Sequence, residues 1–181
     1  MKNHNRYLMP LALVFCLFFL WAISANLLPT MIRQLMKTSE LTPFEASFTE
    51  SAYWLAYFIC PIPIAMFMKR YTYKGGIVFG LLTAAAGALL FFPAAVIQQY
   101  WFYLCVFFVI ATGMCFLETA ANPYVTALGD PATASRRLNL AQSFNGLGAF
   151  VAAMFLSKLI LSGQTLSLIH ISEPTRHSLI S

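Results

Sequence analysis

A carboxylate within an apolar stretch is the residue of this sequence best suited to chemistry. Glu118 follows a long apolar run that begins near Trp101. If that run spans a membrane, an acidic side chain near its centre costs about 2.5–3.5 kcal/mol on insertion scales. Ionisable groups kept at such depth usually face the interior of a helix bundle and belong to a substrate or proton pathway. A purely structural hydrogen-bonding role for Glu118 is the alternative.

Amide side chains offer a second kind of chemistry. Asn139, Gln142 and Asn145 recur every third residue, so they form a polar stripe on an otherwise apolar helix. Each amide carries donors and acceptors, which suits the neighbouring hydroxyl groups of a sugar. Asn122 lies one turn after Glu118 and could bind a sugar or hold the backbone freed by the proline that follows it. Polar residues that only join helices are also common in membranes, so both interpretations stay open.

The second apolar segment carries polar and aromatic residues on one face. Glu50, Tyr53, Trp54 and Tyr57 recur there at helical spacing. Tyr57, more than Trp54, could stack on the face of a sugar ring, although an aromatic stripe more often packs against other helices. Glu50 lies near the outer end of the segment, and we interpret it as a residue of the membrane interface. Asn26, in the first apolar segment, is a further candidate for a sugar contact.

Composition sets the environment in which these residues act. Only 9% of the residues are charged and 60% are hydrophobic, whereas a soluble domain is about 25% charged. The chain therefore lacks the polar groups to cover a surface that faces water. The net charge of +5 comes from basic residues in loops, which gives no sign of nucleic-acid binding. The four cysteines lie in apolar runs without a CxxC pair, so we expect buried thiols and no metal or cofactor.

The hydropathy pattern predicts an all-α integral membrane protein of five transmembrane helices. A cleaved signal peptide is the alternative at the start, but the first apolar run is longer than the ~7–15 residues of a signal h-region, so we expect a first transmembrane helix there. With the N-terminus in the cytoplasm, most Lys and Arg residues of the loops lie on the cytoplasmic side, as the positive-inside rule requires. The predicted helices cover about residues 8–35, 44–68, 76–95, 100–128 and 138–161.

The end of the sequence differs in origin from the rest. Residues 166–176 resemble the in-frame translation of a transposase-based sequencing adapter. We therefore expect residues 166–181 to be a non-native, disordered tail, and residues 1–165 to form part of a transporter half. His170, Glu173 and His177 are assigned no metal-binding role for the same reason. On this interpretation the natural reading frame is interrupted near Thr165 and the gene continues beyond it.

Five stretches carry a resemblance to a known family of membrane proteins. They are residues 18–22 (FFLWA), 58–63 (FICPIP), 92–95 (FPAA), 117–126 (LETAANPYVT) and 137–145 (RLNLAQSFN). These stretches resemble the L-fucose:proton symporter family of the major facilitator superfamily, and the last two are the most specific. The resemblance extends over nearly all of residues 13–163.

The resemblance implies a fold of twelve helices in two six-helix halves, with the substrate site at the midplane between them. This chain would supply helices 1 to 5 of the first half, in the bacterial inner membrane. Its partners would be the sugar, protons, membrane lipid and the missing C-terminal half of the same transporter. Glu118 would couple transport to protons, while Gln142 and Asn145 would lie in or near the sugar pocket.

Two further points follow from comparing the family pattern with this chain. Lys69, Arg70 and Lys74 match the basic loop between helices 2 and 3, and would act in topology and gating. The family has an Asp in the second half of helix 1, shortly after an Asn-Leu pair. Here Asn26-Leu27 is followed by leucine and Pro29, and helix 1 contains no carboxylate. The sugar and the coupling scheme are therefore open.

We conclude from the sequence that the chain is part of a proton-coupled transporter for L-fucose or a related hexose. Taken alone, five helices are expected to be inactive. The alternatives are an exporter of another small molecule, or a membrane anchor or assembly subunit without transport. An intramembrane enzyme is disfavoured, because the sequence has no GxSxG, no HExxH and no paired carboxylates within a span.

Overall fold

The computed structural model describes residues 5–38, 42–97 and 99–171, and these ranges are helical with no β-strand. A short 3₁₀ turn (Pro131–Thr133) precedes the last helix. The prediction of an all-α fold with five helices is confirmed. The helices are α1 (Asn5–Thr38), α2 (Pro43–Ile59), α3 (Pro61–Ile97), α4 (Tyr100–Ala127) and α5 (Ala134–Ile171).

Local sequence signals explain where α2 begins. Thr42 is its N-cap, and the hydroxyl of Thr42 accepts a hydrogen bond from the backbone N–H of Glu45. The Glu45 carboxylate accepts from the backbone N–H of Thr42 at 2.9 Å in return. This capping box satisfies two of the N–H groups left free at a helix start, and Pro43 fits the first turn because it has no N–H to satisfy.

The second predicted helix is divided by proline. We predicted one helix over residues 44–68, but α2 ends at Ile59 and α3 begins at Pro61. Pro61 cannot donate a hydrogen bond to the preceding turn, so the ladder is interrupted there. The N–H of Ile64 donates to the carbonyl oxygen of Cys60 at 3.0 Å and resumes it.

The predicted basic loop is the place where two helical stretches of α3 meet at a sharp kink. The backbone from Pro61 to Ile97 is helical except at Thr72, where φ is 65° and ψ is 164°. A positive φ is uncommon for a β-branched residue. Lys69 and Arg70 precede this break and Lys74 follows it, and all three side chains are exposed.

The closest helix pairs are α3 with α4 and α1 with α5. Gly113 on α4 lies directly against α3: a Cβ placed there would be 2.5 Å from the backbone nitrogen of Ala84. Gly148 on α5 lies as close to α1, since a Cβ there would be 2.4 Å from the carbonyl oxygen of Phe19. Such small residues allow helices in a membrane to approach closely.

α4 lies at the centre of the bundle. It contributes to three separate buried clusters, with Phe107 in the first, Val125 in the second and Cys115 in the third. The most apolar 18-residue stretch of α4 is 56% buried within the bundle, whereas the corresponding stretches of α1 and α3 are 17% buried. The helix that carries Glu118 is thus the one that its neighbours surround, and a polar group on it lies inside the bundle.

The outer surface of the bundle is apolar. Phe58, Leu89 and Phe92 are 83%, 76% and 79% exposed. Soluble monomers rarely expose contiguous apolar patches of more than a few hundred Å². By length and composition, three helical stretches of the described residues can cross a membrane: Tyr7–Ile32, Pro61–Ile97 and Tyr100–Ala127. The chain is a multi-pass membrane protein.

The last helix extends further than predicted. We expected α5 to end near residue 161 and the tail from residue 166 to be disordered, but α5 continues to Ile171. No proline lies between Ala134 and this point, so nothing in the local sequence breaks the helix. Residues 172–181 of the expected tail lie outside the described residues.

Candidate functional site

Two cavities meet at Glu118. A small one of about 20 Å³ lies between α1, α4 and α5, which is room for about one water molecule. A larger one of about 320 Å³ lies between α1, α2 and α4. Glu118 and Trp21 line both cavities, and the Glu118 side chain is half-buried. A carboxylate in this position can contact molecules on either side of it.

The larger cavity has the size and lining of a site for a small molecule. Such sites usually occupy about 300–1,000 Å³ and combine apolar walls with a few polar groups. Here the polar groups come from two helices: Glu50, Tyr53 and Tyr57 on α2, and Glu118 on α4. The rest of the lining is Trp21, Ala25, Leu28, Pro29, Ile32 and Trp54.

A chain of three amides lines the small cavity on its other side. The Nδ2 of Asn122 donates to the backbone oxygen of Glu118 at 3.1 Å. The Nε2 of Gln142 donates to the Oδ1 of Asn122 at 3.1 Å, and the Nδ2 of Asn145 donates to the Oε1 of Gln142 at 3.5 Å. The amide chain therefore links α5 to the backbone of α4 at Glu118.

Arg137 holds α5 in the position that the amide chain requires. Its Nε donates to the backbone oxygen of Val125 at 3.2 Å, and its Nη2 donates to that of Thr126 at 3.0 Å. Its Nη1 donates to the backbone oxygen of Asp130 at 2.9 Å and also to the hydroxyl of Thr133. A guanidinium at the end of α4 satisfies carbonyl groups that the helix leaves free, and joins the two helices.

The two tyrosines of the larger cavity form a pair. Their hydroxyl oxygens are 3.4 Å apart, and their ring centroids are 5.2 Å apart. Trp54 packs against both rings, with centroid distances of 5.6 Å to Tyr53 and 6.0 Å to Tyr57, but it is 60% exposed. The predicted sugar-stacking residue Tyr57 therefore lies in the same cavity as Glu118.

Asn26 is not brought to this site. Its Nδ2 donates to the carbonyl oxygen of Ala22 in the preceding turn of α1, at 2.8 Å. Asn26 lines neither cavity that contains Glu118. A sugar contact by Asn26 in this conformation would require its amide to leave that bond.

The basic residues of the kink also lie apart from the cavities. The guanidinium carbon of Arg70 lies 5.7 Å from the centre of the Tyr71 ring. Lys74 lines a separate apolar groove between α1 and α3, together with Met9, Leu13 and Val78. Neither they nor Lys69 line the Glu118 cavities, so they take no part in sugar contact there.

Two cavity residues were missed or misjudged from the sequence. Trp21 lines both cavities, and its Nε1 donates to the backbone oxygen of Met114 at 3.3 Å, which joins α1 to α4. A tryptophan in an apolar run gives no signal that separates cavity lining from packing. We interpreted Glu50 as an interface residue, but it lines the larger cavity; its shared face with Tyr53 and Tyr57 was the available signal.

Comparisons with known proteins identify the architecture. Residues 11–169 match the Major Facilitator Superfamily model. The L-fucose-proton symporter of Escherichia coli (strain K12) is 48% identical over 156 residues, which are 86% of this chain and 36% of that protein. A glucose/galactose transporter of Brucella abortus is 43% identical over 164 residues, which are 91% of this chain and 39% of that protein.

A solved structure agrees with these matches. The crystal structure of the superfamily transporter FucP in the outward conformation aligns with a TM-score of 0.76 at 48% identity. The alignment covers 86% of this chain and 38% of that one. This chain therefore spans little more than a third of the length of its relatives. The chain belongs to the Major Facilitator Superfamily.

Proposed function

We propose that this chain forms the first five helices of a proton-coupled transporter for L-fucose or a related hexose. The observation that carries the proposal is the position of Glu118. It lies on the central helix, between a cavity of small-molecule size and a chain of amides. Sugar and proton could thus be bound by adjoining groups, which is the arrangement that coupled transport needs.

Glu118 is the proposed proton-binding group. A carboxylate near the membrane midplane is costly in a dry cavity, whereas the protonated acid is neutral and tolerated there. Binding a proton on one side of the membrane and releasing it on the other would make the charge state of the bundle differ between the two open forms. That difference would bias which form is stable, and so couple the two fluxes.

The amides and Tyr57 are the proposed sugar ligands. Gln142 and Asn145 offer both donors and acceptors to neighbouring hydroxyls, and Asn122 extends the same chain to α4. The ring of Tyr57 provides an apolar surface in the larger cavity. A sugar role for Asn26 rests only on its residue type and its place in the first apolar segment, because Asn26 lines neither cavity.

We infer that a second set of helices completes the site. The relatives are about two and a half times as long as the aligned region, and transporters of this kind bind substrate between two halves. Gln142 is exposed on α5, where a second half could cover it. We further propose that the protein lies in the bacterial inner membrane with a cytoplasmic N-terminus. Lys69, Arg70 and Lys74 would then act at a cytoplasmic gate.

The identity of the hexose has two candidates. The similarity to L-fucose-proton symporters favours fucose, and the similarity to glucose/galactose transporters favours glucose or galactose. L-Fucose lacks a hydroxyl at carbon 6, so an apolar cavity wall would suit it better. The larger cavity is mostly apolar, which supports fucose as the first candidate.

The test is sugar and proton uptake by the full-length transporter that contains this chain. Cells that lack other carriers would receive labelled L-fucose, galactose or glucose under a pH gradient, with and without a protonophore. We expect one sugar to accumulate, the medium to become alkaline on its addition, and the protonophore to abolish accumulation. Sugar accumulation that persists in the presence of the protonophore would contradict proton coupling. The absence of uptake for all three sugars would contradict the proposal that the substrate is a hexose.

A further inference from the structure

A second carboxylate faces the larger cavity. Glu50 lies on α2, lines the same cavity as Glu118 and is exposed. The residues of α1 that line that cavity, Pro29 among them, all lack a carboxyl group. The wall contributed by α1 therefore carries no acid. The two carboxylates of this one cavity therefore come from α2 and α4.

The placement of Glu50 differs from that of the other acid at the start of the same helix. The Glu45 carboxylate is taken up by the cap, accepting from the backbone N–H and the hydroxyl of Thr42 at 2.9 Å each. Glu50 comes after this cap and lies on the face that carries Tyr53 and Tyr57. A residue that served only the membrane interface would not need that face.

Two hydroxyls lie along the wall from Glu50 towards the centre of the bundle. Tyr53 is one turn beyond Glu50 and Tyr57 one turn beyond Tyr53, so the three residues span about 10 Å along the axis of α2. The hydroxyls of Tyr53 and Tyr57 are 3.4 Å apart. All three residues share the cavity with Glu118.

Few other titratable groups face this part of α2. α4 contributes Glu118 and Tyr103, which is buried in a cluster against which Tyr53 packs. It also contributes Tyr100 at its start, whose hydroxyl donates to the backbone oxygen of Glu45 at 3.1 Å. Cys115 on α4 is buried with Ile64 in a cluster against which Tyr57 packs. The described residues of α1 and α3 add none to the cavity wall. Glu50 is thus the acid at the exposed end of the cavity.

We propose that Glu50 is a second proton-binding carboxylate of this transporter, which takes protons from the water at the cavity mouth and passes them to Glu118. The inference rests on the proposed function and adds an entry point to it. A proton binds the Glu50 carboxylate and leaves it through cavity water or the tyrosine hydroxyls, each of which gives up one proton as it receives another. Glu118 becomes neutral, Glu50 returns to the carboxylate, and both hydroxyls are unchanged.

The test compares three variants of the full-length transporter by the dependence of sugar uptake on external pH. Glu50→Gln keeps the size of the side chain but cannot carry a proton. We expect half-maximal uptake to move to the acid side, because without Glu50 the rate of proton delivery to Glu118 is limited by the concentration of free protons. Energy-independent counterflow moves no net proton, so it is measured beside uptake to separate proton entry from sugar binding. Glu50→Asp should restore most of the parental profile, because it restores a carboxylate.

Glu45→Gln is the matched control, because it neutralises an acid on the same helix outside the cavity and glutamine can still form the capping box. We expect it to keep the parental profile. A Glu50→Gln profile that coincides with the parental one would overturn the proposal, and so would an equal shift in Glu45→Gln. Loss of counterflow in Glu50→Gln would assign Glu50 a structural role and overturn it as well. If the parent transports no sugar with protons, the proposed function itself fails, a result visible before any variant is made.

Discussion

The seam between α3 and α4 and the region where α4 faces α1, α2 and α5 are built on opposite principles. In the seam, glycine lets the two backbones touch, and apolar side chains fill the remaining space. The other face is looser, with two cavities, an amide chain and a tyrosine pair. Glu118 lies on the helix that belongs to both. A rigid packed side fixes the carboxylate, while the loose side leaves room for what it binds.

A glycine substitution should separate the two regions most strongly. Gly113→Ala places a Cβ 2.5 Å from the backbone nitrogen of Ala84, so the seam must open, at a cost of about 1–3 kcal/mol. Gly146→Ala is the matched control, because a Cβ there meets no atom within 4 Å. Thermal unfolding of the purified chain in detergent should show a lower midpoint for Gly113→Ala only. Equal midpoints would mean that close packing at the seam contributes little.

An amide substitution should affect binding and leave the fold intact. Gln142→Ala removes the link between Asn122 and Asn145 together with the amide that would meet the sugar, and each hydrogen bond to a sugar hydroxyl that is no longer made costs about 0.5–1.5 kcal/mol. Because Gln142 is exposed, the fold itself loses little. We expect sugar affinity of the full-length transporter to fall by about tenfold or more, with an unchanged unfolding midpoint. Asn139→Ala removes an amide of the same stripe that lines neither cavity. If both variants bind alike, the amides are structural.

A smaller effect is expected at the tyrosine pair. Tyr53→Phe removes one hydroxyl from a contact of 3.4 Å, and a single neutral hydrogen bond contributes about 0.5–1.5 kcal/mol. Sugar affinity should therefore change by less than about tenfold. Tyr57→Phe, tested beside it, should cost more, because Tyr57 lies deeper along α2. The reverse order, measured by isothermal titration, would show that Tyr53 is the nearer ligand.

Sequence reasoning succeeded where a signal was local. Apolar runs predict helices, and α4 begins at Tyr100 as expected. The spacing of Gln142 and Asn145 correctly indicated a polar stripe. The predicted helix over residues 44–68 is interrupted at Pro61, because a proline in the sequence does not reveal whether its neighbours compensate for the lost hydrogen bond.

What could not be predicted depended on which helices are neighbours. Periodicity gives the face of a helix but not what that face meets. From the sequence we therefore interpreted Glu50 as an interface residue, whereas in the structure α1 and α4 form a cavity that Glu50 lines. We predicted Asn26 as a site residue, but its amide donates a hydrogen bond to the backbone of its own helix. We also expected α5 to end near residue 161, but it continues to Ile171. The resemblance of the tail to adapter DNA concerns its origin and does not predict whether its residues are helical.

The central claim is that Glu118 binds the proton that drives transport. Glu118→Gln keeps the shape and the hydrogen bonds of the protonated acid but cannot titrate. In the full-length transporter we expect this variant to lose uphill sugar uptake under a pH gradient. Sugar binding and energy-independent counterflow should persist, because neither moves a net proton. If Glu118→Gln still concentrates sugar at the parental rate, Glu118 is structural and the coupling group lies elsewhere.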